Sequence, residues 1–265
     1  LERINEIKNQ KDENADRHNS LNITDNSIKI KNLSFRYEGS SVDVLKNINL
    51  TVDNNETVAI VGSSGSGKTT LLKLILQYYL PQNGCITDLR DVNVQSLWDR
   101  CGVVMQDGYI FSDTIAKNIA TSTDEIDLSR LKYAADMARL SPFIESLPLK
   151  YNTIVGDDGR SLSSGQRQRL LIARAIYKNA DFLFFDEATN ALDATNEKFI
   201  LQNINQFIHN KTALIIAHRL STVKHADKIV VLEDGYVVES GTHDELISNK
   251  SYYYNLVKNQ LELNN

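Results

Sequence analysis

The chain has 265 residues, of which 42% are hydrophobic, and its formal net charge at pH 7 is -5. A chain of this length and composition can bury a full core, in one large domain or two small ones. The negative balance excludes a broad basic surface, so recognition of phosphate groups has to be local and no nucleic-acid partner is expected.

The cysteines, the absence of long apolar runs and the start of the sequence bear on the compartment and on the organisation of the chain. Cys85 and Cys101 have no metal-ligand spacing, which favours two reduced core residues in a cytosolic environment. No apolar run approaches the roughly 18 residues of a membrane-spanning helix, and no signal peptide is recognisable. Because the sequence begins at Leu1, we expect a piece of a longer polypeptide, with residues 1–26 as a polar linker.

The first predicted elements are two antiparallel strands. Residues 28–37 alternate apolar and polar side chains, as a half-solvated strand does, and residues 44–52 supply the partner. Tyr37 ends the first of these strands. A tyrosine at this position is either an edge aromatic of the sheet or a platform on which an adenine ring stacks.

Residues 62–69 match G-x-x-x-x-G-K-[ST], the P-loop pattern. A buried strand is predicted just before them, at 56–61, and a helix just after them, so backbone N–H groups and a helix N-terminus surround one concavity. This order favours a phosphate site over a Gly/Ser-rich turn with a surface lysine. Lys68 would reach the outer phosphates, and Thr69 would offer its hydroxyl to Mg²⁺. The predicted nucleotide-binding residues of this stretch are Gly62, Ser63, Ser64, Gly65, Ser66, Gly67, Lys68, Thr69 and Thr70.

Three further apolar strands, at 101–105, 182–185 and 214–217, are followed directly by polar residues. The carboxyl ends of parallel strands meet at one edge of a sheet, where such sheets bind ligands. We therefore expect the four polar side chains to surround the same γ-phosphate, although each alone has a plainer explanation as a cap or a solvated residue. They are Gln106, Asp186, Glu187 and His218.

Each of these side chains suits one part of phosphoryl transfer to water. Asp186 would hold Mg²⁺, through water, because hard carboxylates are the ligands this ion prefers. Glu187 would polarise the attacking water, and His218 would bind the γ-phosphate and orient that water. Gln106 would contact both metal and water. The predicted catalytic residues are thus Glu187, His218 and Gln106, and the predicted metal contacts are Thr69, Gln106 and Asp186.

The pattern becomes helical over about residues 112–178. Helices are predicted at 113–119, 128–140 and 142–147, and a polar loop then opens a helix at 168–177. This predicts a helical subdomain inserted between two strands of the sheet. Farther on we predict a hairpin around Asp234 and Gly235, a capping box from Thr242 to Glu245, and a fraying tail at 255–265.

Taken together, these motifs resemble the nucleotide-binding domain of an ABC transporter, over about residues 28–246. Six motifs occur in the family's order: the P-loop, a Q-loop at Gln106, a signature at 162–166, a Walker B strand ending in Asp186 and Glu187, a D-loop at 191–193 and an H-loop at His218. The segments 153–159 and 238–246 resemble the exporter branch, as does Tyr37 as an adenine-stacking aromatic. Within that branch the peptidase-containing peptide exporters are the nearest subgroup by general resemblance.

The resemblance implies an α/β fold of the P-loop NTPase type, with a mostly parallel sheet, an antiparallel β subdomain and an inserted helical subdomain. Residues 1–26 would link to a missing transmembrane domain, 27–250 would form the nucleotide-binding domain, and 251–265 would be a C-terminal tail. ATP and Mg²⁺ would be the cofactors. The domain would sit on the cytoplasmic side of the cell membrane and power export by hydrolysing ATP, with a peptide as one candidate for the exported substrate.

The resemblance also implies a head-to-tail pair of domains with two ATP molecules between them. Each ATP would lie between one P-loop and the partner's signature loop, so a lone chain would be nearly idle. Within one chain, an ordinary serine helix cap explains the signature equally well. The residues that would contact the partner's nucleotide are Ser163, Ser164, Gly165 and Gln166.

Some positions depart from the family pattern. Ser164 stands where glycine is usual in the signature, Asn190 where serine precedes the D-loop, and Asp157 and Asp158 where glutamate and arginine are frequent. A soluble ABC-type ATPase acting on nucleic acid or ribosomes is an alternative, but it would carry a coiled-coil insertion or tandem cassettes. A nucleotide sensor without turnover would need a degenerate Walker B acid or signature, and only Ser164 points that way.

Overall fold

A computed structural model describes residues 26–86, 93–121, 125–156, 161–190, 192, 194–217 and 219–263. Most of the predicted linker and part of the segment between Gly84 and Val94 lie outside these residues. His218 also lies outside them, as do Ala191 and Asp193 of the predicted D-loop and Asp157 and Asp158 before the signature.

The described chain contains nine strands and ten α-helices, with one short 3₁₀ turn at Lys150–Asn152. The strands are β1 (Ile28–Phe35), β2 (Leu45–Val52), β3 (Thr57–Val61), β4 (Asn83–Ile86), β5 (Cys101–Val104), β6 (Phe182–Asp186), β7 (Thr212–Ile216), β8 (Lys228–Glu233) and β9 (Tyr236–Gly241). The helices are α1 (Lys68–Ile75), α2 (Val94–Asp99), α3 (Ile115–Ala120), α4 (Leu128–Met137), α5 (Ser141–Ser146), α6 (Ser164–Lys178), α7 (Ala194–Ile208), α8 (Leu220–Val223), α9 (His243–Asn249) and α10 (Tyr252–Leu263).

Two sheets make up the β structure. The smaller sheet is antiparallel, in the order β2-β1-β4, which confirms the predicted pairing of the first two strands. The larger sheet has the order β5-β6-β7-β3-β8-β9 and is parallel except for β9. The carboxyl ends of β3, β5, β6, β7 and β8 therefore lie at one edge, as the apolar strands with polar ends predict.

The larger sheet separates two hydrophobic cores. Because side chains alternate along a strand, Val58 and Ile60 of β3 face one core and Ala59 and Val61 face the other. The first core lies between the two sheets and includes the apolar side of α1. The second packs the helices on the opposite face. The P-loop helix is thus held by buried leucines from the layer between the sheets.

The helices α3 to α6 cover the span for which a helical subdomain is predicted. Ile115, Leu131 and Ile144 share one core with the sheet residues Ala59 and Val61. Helix α6 begins at Ser164, four residues before the predicted start, because a capping box satisfies its first N–H groups. The division into subdomains remains a prediction.

The prediction of a fraying tail is wrong over most of its length. Residues 252–263 form helix α10, whose Tyr253 and Val257 are buried in the second core. The Tyr253 hydroxyl bonds to Nδ1 of His243 at 2.8 Å, and its N–H donates to Glu239 at 2.7 Å. Apolar residues at i, i+3 and i+4 from Tyr253 are the signal that the sequence interpretation passed over.

Both cysteines carry free thiols. Cys101 is buried at the start of β5, and burial raises the pKa of its thiol to about 12. Cys85 is half-buried in β4. Within the described residues, no helix combines the length and the apolar character needed to cross a membrane.

Replacing Tyr253 tests the packing of α10. The Tyr253 side chain is 1% exposed, whereas that of its neighbour Tyr252 is 50% exposed. We expect Tyr253→Ala to lower the free energy of unfolding by about 3 kcal/mol, since it leaves a cavity in the core. The matched control Tyr252→Ala should change it by no more than about 0.5 kcal/mol. Urea unfolding followed by circular dichroism measures both, and equal effects would contradict the packed helix.

Candidate functional site

The loop between β3 and α1 lies very close to neighbouring segments at two glycines. At Gly62 (φ +153°) an added Cβ would lie 1.9 Å from the carbonyl oxygen of Leu232. At Gly67 (φ +103°) it would lie 2.6 Å from a methyl carbon of Leu45. A side chain at Gly62 would displace the loop, because the obstacle is backbone. A side chain at Gly67 would push the Leu45 side chain aside and would be strained by the positive φ. Gly65 has open space around it but a left-handed backbone (φ +81°), so conformation alone favours glycine there.

Lys68 lies inside this loop. It is the first residue of α1, and its side chain is only 6% exposed. Its Nζ donates to the carbonyl oxygens of Ser63 at 2.7 Å and Gly62 at 3.1 Å, and to the Ser66 hydroxyl at 3.4 Å. The loop therefore wraps around the ammonium group and positions it at the carboxyl edge of the sheet.

Acidic groups balance this buried cation. Burial lowers the pKa of Lys68, and the nearby carboxylates of Glu187, Asp186 and Glu233 oppose that shift. Glu233 ends β8 and accepts a hydrogen bond from the Ser63 hydroxyl at 2.9 Å. The sequence interpretation missed Glu233, although a charged residue at the end of an apolar strand is the same signal that pointed to Asp186.

Asp186 is the last residue of β6 and is 1% exposed. Among the described residues, neither of its carboxylate oxygens has a hydrogen-bond partner. Burial raises its pKa, and the Thr69 hydroxyl is near enough to oppose the rise although by geometry it makes no hydrogen bond to either oxygen. A buried carboxylate without a partner is costly, and a bound cation would remove that cost.

These residues fit Mg²⁺ better than a metal that needs a full protein ligand cage. Mg²⁺ is commonly held by one or two carboxylates together with substrate phosphates and water. Asp186 would supply the carboxylate, and the neighbouring Thr69 would supply a hydroxyl. The described residues contain no group of three or more His, Cys, Asp or Glu that could hold a metal on their own.

Glu187 is fixed by its backbone as well as by its side chain. Its N–H donates to the carbonyl oxygen of Ile216 in β7 at 3.0 Å, and its carbonyl oxygen accepts from the Gln168 amide at 3.0 Å. Its φ is +51°, a left-handed conformation that is strained for a side chain of this size. The Asn190 amide donates to its carboxylate. Strand β7, helix α6 and the following turn together hold the glutamate in place.

The other predicted residues of this chain's own nucleotide site are placed as follows. Gln106 is exposed in the turn after β5, at the same sheet edge. Tyr37 is half-buried, its hydroxyl lies 3.0 Å from that of Thr70, and its ring packs edge-on against Phe35 and Tyr79. The contact between the two hydroxyl groups connects the Tyr37 ring to helix α1, which follows the P-loop. His218 is outside the described residues, and its role stays a prediction.

The signature residues occupy the exposed N-terminus of α6. The Ser163 hydroxyl accepts from the Gln166 N–H at 3.2 Å, and the Gln166 side chain accepts from the Ser163 N–H at 2.9 Å. Ser164 is the first helical residue and is exposed. It is not among the residues with a positive φ, so serine in place of glycine introduces no backbone strain there.

A P-loop beside an acidic strand end, on a mostly parallel sheet, defines a nucleotide-binding domain of the P-loop class. The family model described as ABC transporter matches residues 45–190. The chain belongs to the ABC transporter family, as its ATP-binding domain, and the predicted fold class is confirmed.

Two curated proteins similar to this chain are named as translocation ATP-binding proteins. The leukotoxin translocation ATP-binding protein LktB of Mannheimia glucosida is 42% identical over 99% of this chain and 37% of its own length. The toxin RTX-III translocation ATP-binding protein of Actinobacillus pleuropneumoniae is 43% identical over 100% of this chain and 38% of its own length. The chain thus spans little more than a third of these curated relatives.

A solved structure agrees with these relatives. The structure of a bacterial Atm1-family ABC exporter with ATP bound superposes with a TM-score of 0.92 and 35% sequence identity. The superposition covers 98% of this chain and 47% of that chain. The resemblance to the exporter branch is therefore confirmed.

Substituting Gly62 tests the fit of the loop. We expect Gly62→Ala to weaken ATP binding by at least about tenfold, because the loop must move away from Leu232 at a strain of roughly 1–3 kcal/mol. Isothermal titration with MgATP measures the affinity, and circular dichroism reports folding. Gly156→Ala is the control, since its added Cβ meets no atom of the described residues within 4 Å. Wild-type affinity in Gly62→Ala would contradict the described loop.

Proposed function

We propose that this chain hydrolyses ATP to power export across a membrane, as a pair of copies that enclose two MgATP. One observation carries the proposal: Lys68, Asp186 and Glu187 converge at one sheet edge, where Lys68 and Asp186 are buried and Glu187 is held by β7 and α6. A domain that only binds the nucleotide would need no more than the loop and the lysine. The glutamate in a strained conformation suits a reaction with water.

The P-loop would hold the phosphates of ATP. Its N–H groups and the N-terminus of α1 would face the phosphate oxygens, and Lys68 would exchange its carbonyl partners in the loop for the outer phosphates. Tyr37 would stack on the adenine ring, with its hydroxyl on Thr70 setting the ring's position. Thr69 and Asp186, together with Gln106, would hold Mg²⁺, which when bound neutralises charge on the phosphate oxygens.

Glu187 would act on the attacking water. Its carboxylate accepts a hydrogen bond from the Asn190 amide, which would fix the orientation of the carboxylate beside the γ-phosphate. Glu187 would take a proton from the water as the water oxygen attacks the γ-phosphorus, and the bond from the γ-phosphorus to the β-γ bridging oxygen would break, with ADP as the leaving group. His218 would bind the γ-phosphate and orient the water. Asn190, noted in the sequence only as a departure from the family pattern, thereby gains a positioning role.

A second copy would complete each site. The exposed N-terminus of α6 carries the partial positive charge of a helix of 15 residues, and its capping box is already satisfied within the chain. Such a terminus suits the γ-phosphate of an ATP held by the partner's P-loop. The residues that would reach it are Ser163, Ser164, Gly165 and Gln166.

A membrane part would dock beside the Q-loop. Tyr109 and Phe111 follow Gln106, are about half exposed, and stack edge-on at 5.2 Å between ring centres. The Arg174 guanidinium lies over the Phe111 ring at 5.5 Å and donates to the Tyr109 carbonyl oxygen at 2.9 Å. Exposed aromatics held in one arrangement would suit contact with such a membrane part. We place the domain on the cytoplasmic side of the membrane, beneath a transmembrane domain.

The relatives support a polypeptide cargo. Two of them are named for translocation of a leukotoxin and of the toxin RTX-III. We extend the proposal to export of a peptide or protein. The cargo would contact the membrane part rather than this domain, so the residues of this chain do not select it.

Substituting Glu187 tests the proposed reaction. We expect Glu187→Gln to lower ATP turnover by about 10²–10⁴ while MgATP binding is kept, because the amide cannot act as the base. Phosphate release measures turnover, and titration measures binding. Glu125→Gln, a change at an exposed carboxylate, should leave both unchanged.

Two outcomes would contradict the proposal. Wild-type turnover in Glu187→Gln would remove the glutamate from the reaction. Wild-type protein that pairs with ATP but hydrolyses none at high concentration would instead indicate a nucleotide sensor.

A further inference from the structure

A buried glutamate on α7 joins the chain segments that follow two neighbouring strands. Glu197 is 7% exposed and lies in the first turn of the helix. Its Oε1 accepts a hydrogen bond from the Thr189 hydroxyl at 3.2 Å, and its Oε2 pairs with the Arg219 guanidinium. Thr189 is buried as well. Both oxygens of one carboxylate are thus used to hold two different segments.

Both partners of Glu197 are close in sequence to residues of the proposed reaction. Thr189 is two residues after Glu187 and immediately precedes Asn190, whose amide binds the Glu187 carboxylate. Arg219 directly follows His218. The carboxylate therefore links the segment that leaves β6 to the segment that leaves β7.

The cleft that the two segments border is narrow, about 20 Å³, and is lined among others by Glu187, Asn190, Leu201, Ala217 and Arg219. Apolar packing is non-directional, so a fixed separation of the segments also needs a directional contact. The carboxylate of Glu197 supplies one, through a hydrogen bond on one oxygen and a charge-assisted contact on the other.

The burial of Glu197 has no explanation in core stability. Replacing a buried ion pair by apolar side chains of similar size is often neutral or stabilising, so the pair is weak grounds for a purely structural role. A carboxylate in the first turn also favours the helix through its dipole, but an exposed side chain would do that equally well. What the burial adds is a fixed connection between two segments.

We propose that Glu197 is a positioning residue for ATP hydrolysis, which holds the segment after β6, with Glu187 and Thr189, and the segment after β7, with Arg219, at a fixed separation. This inference rests on the proposed function. Glu197 would not contact the nucleotide. It would act through Thr189 and Arg219, so its loss should slow the chemical step and leave nucleotide binding intact.

The test compares Glu197→Gln, Arg219→Ala and the double variant in the full chain. Glu197→Gln keeps the shape of the side chain and an acceptor for Thr189 but removes the charge that pairs with Arg219. We expect kcat to fall about tenfold in each single variant, while KM and the Kd for MgATP stay within about twofold of wild type. The double variant should be no slower than the singles, because both remove the same contact.

Two further variants separate positioning from folding. Arg219→Lys keeps the positive charge and should recover part of the lost kcat. Lys198→Gln, at an exposed residue on the same turn of α7, should leave kcat unchanged. Urea unfolding of every variant shows whether a lower rate follows from a smaller folded fraction.

Three results would overturn the inference. Wild-type kcat in Glu197→Gln would remove the positioning role while leaving the proposed function intact. A loss of kcat that equals the loss of folded protein, or additive effects in the double variant, would make the contact structural only. No turnover in the wild type would overturn the proposed function, and this inference with it.

Discussion

The burial of opposite charges at one sheet edge is the constraint on which the site depends. The loop closes around the Lys68 ammonium, and the carboxylates of Asp186, Glu187 and Glu233 act on it from the ends of β6 and β8. This leaves the charges incompletely matched, because neither oxygen of Asp186 has a hydrogen-bond partner in the described part of the chain. A phosphate chain with its cation would complete the balance. Glycine is favoured at positions 62 and 67 because the loop that carries Lys68 to this edge passes close to Leu232 of β8 and Leu45 of β2.

Sheet topology turns these local features into a reaction site. Strand β7 lies between β3 and β6, so the segments after β6 and β7 emerge side by side next to the P-loop. The Glu187 backbone bonds to β7 and to α6, which places it by tertiary contacts rather than by its own strand alone. Glu197 extends the same principle, because one buried carboxylate on α7 connects both segments. The groups proposed to act on water are thus held from several directions at once.

The sequence was sufficient to predict those elements and site residues that a periodic pattern or a motif identifies. Strand ends at Gln106 and Asp186 could be predicted because apolar runs stop abruptly there, and the P-loop because glycine spacing reflects backbone geometry. Helix α10 was missed although its apolar spacing is present, since tail position was given more weight than periodicity. Glu197 could not be assigned contacts from sequence, because one charged residue looks the same whether buried or solvated. Glu233 carried the strand-end signal that pointed to Asp186, but the signal was not applied to it. The hydrogen bond from Asn190 to Glu187 forms beside the left-handed backbone of Glu187, and no sequence pattern predicts that conformation.

The central claim is that each site needs the P-loop of one copy and the signature of another, and a mixing experiment tests it directly. Lys68→Ala disables the P-loop, while Ser164→Glu puts a negative charge where the partner's γ-phosphate would lie, at an exposed helix start that tolerates a carboxylate. Each variant alone should be inactive. In an equal mixture, half of the randomly formed pairs contain both variants and each such pair holds one intact site of two, so the account predicts roughly a quarter of the wild-type ATP turnover. A mixture as inactive as its components, under conditions where the wild type turns over ATP, would contradict it.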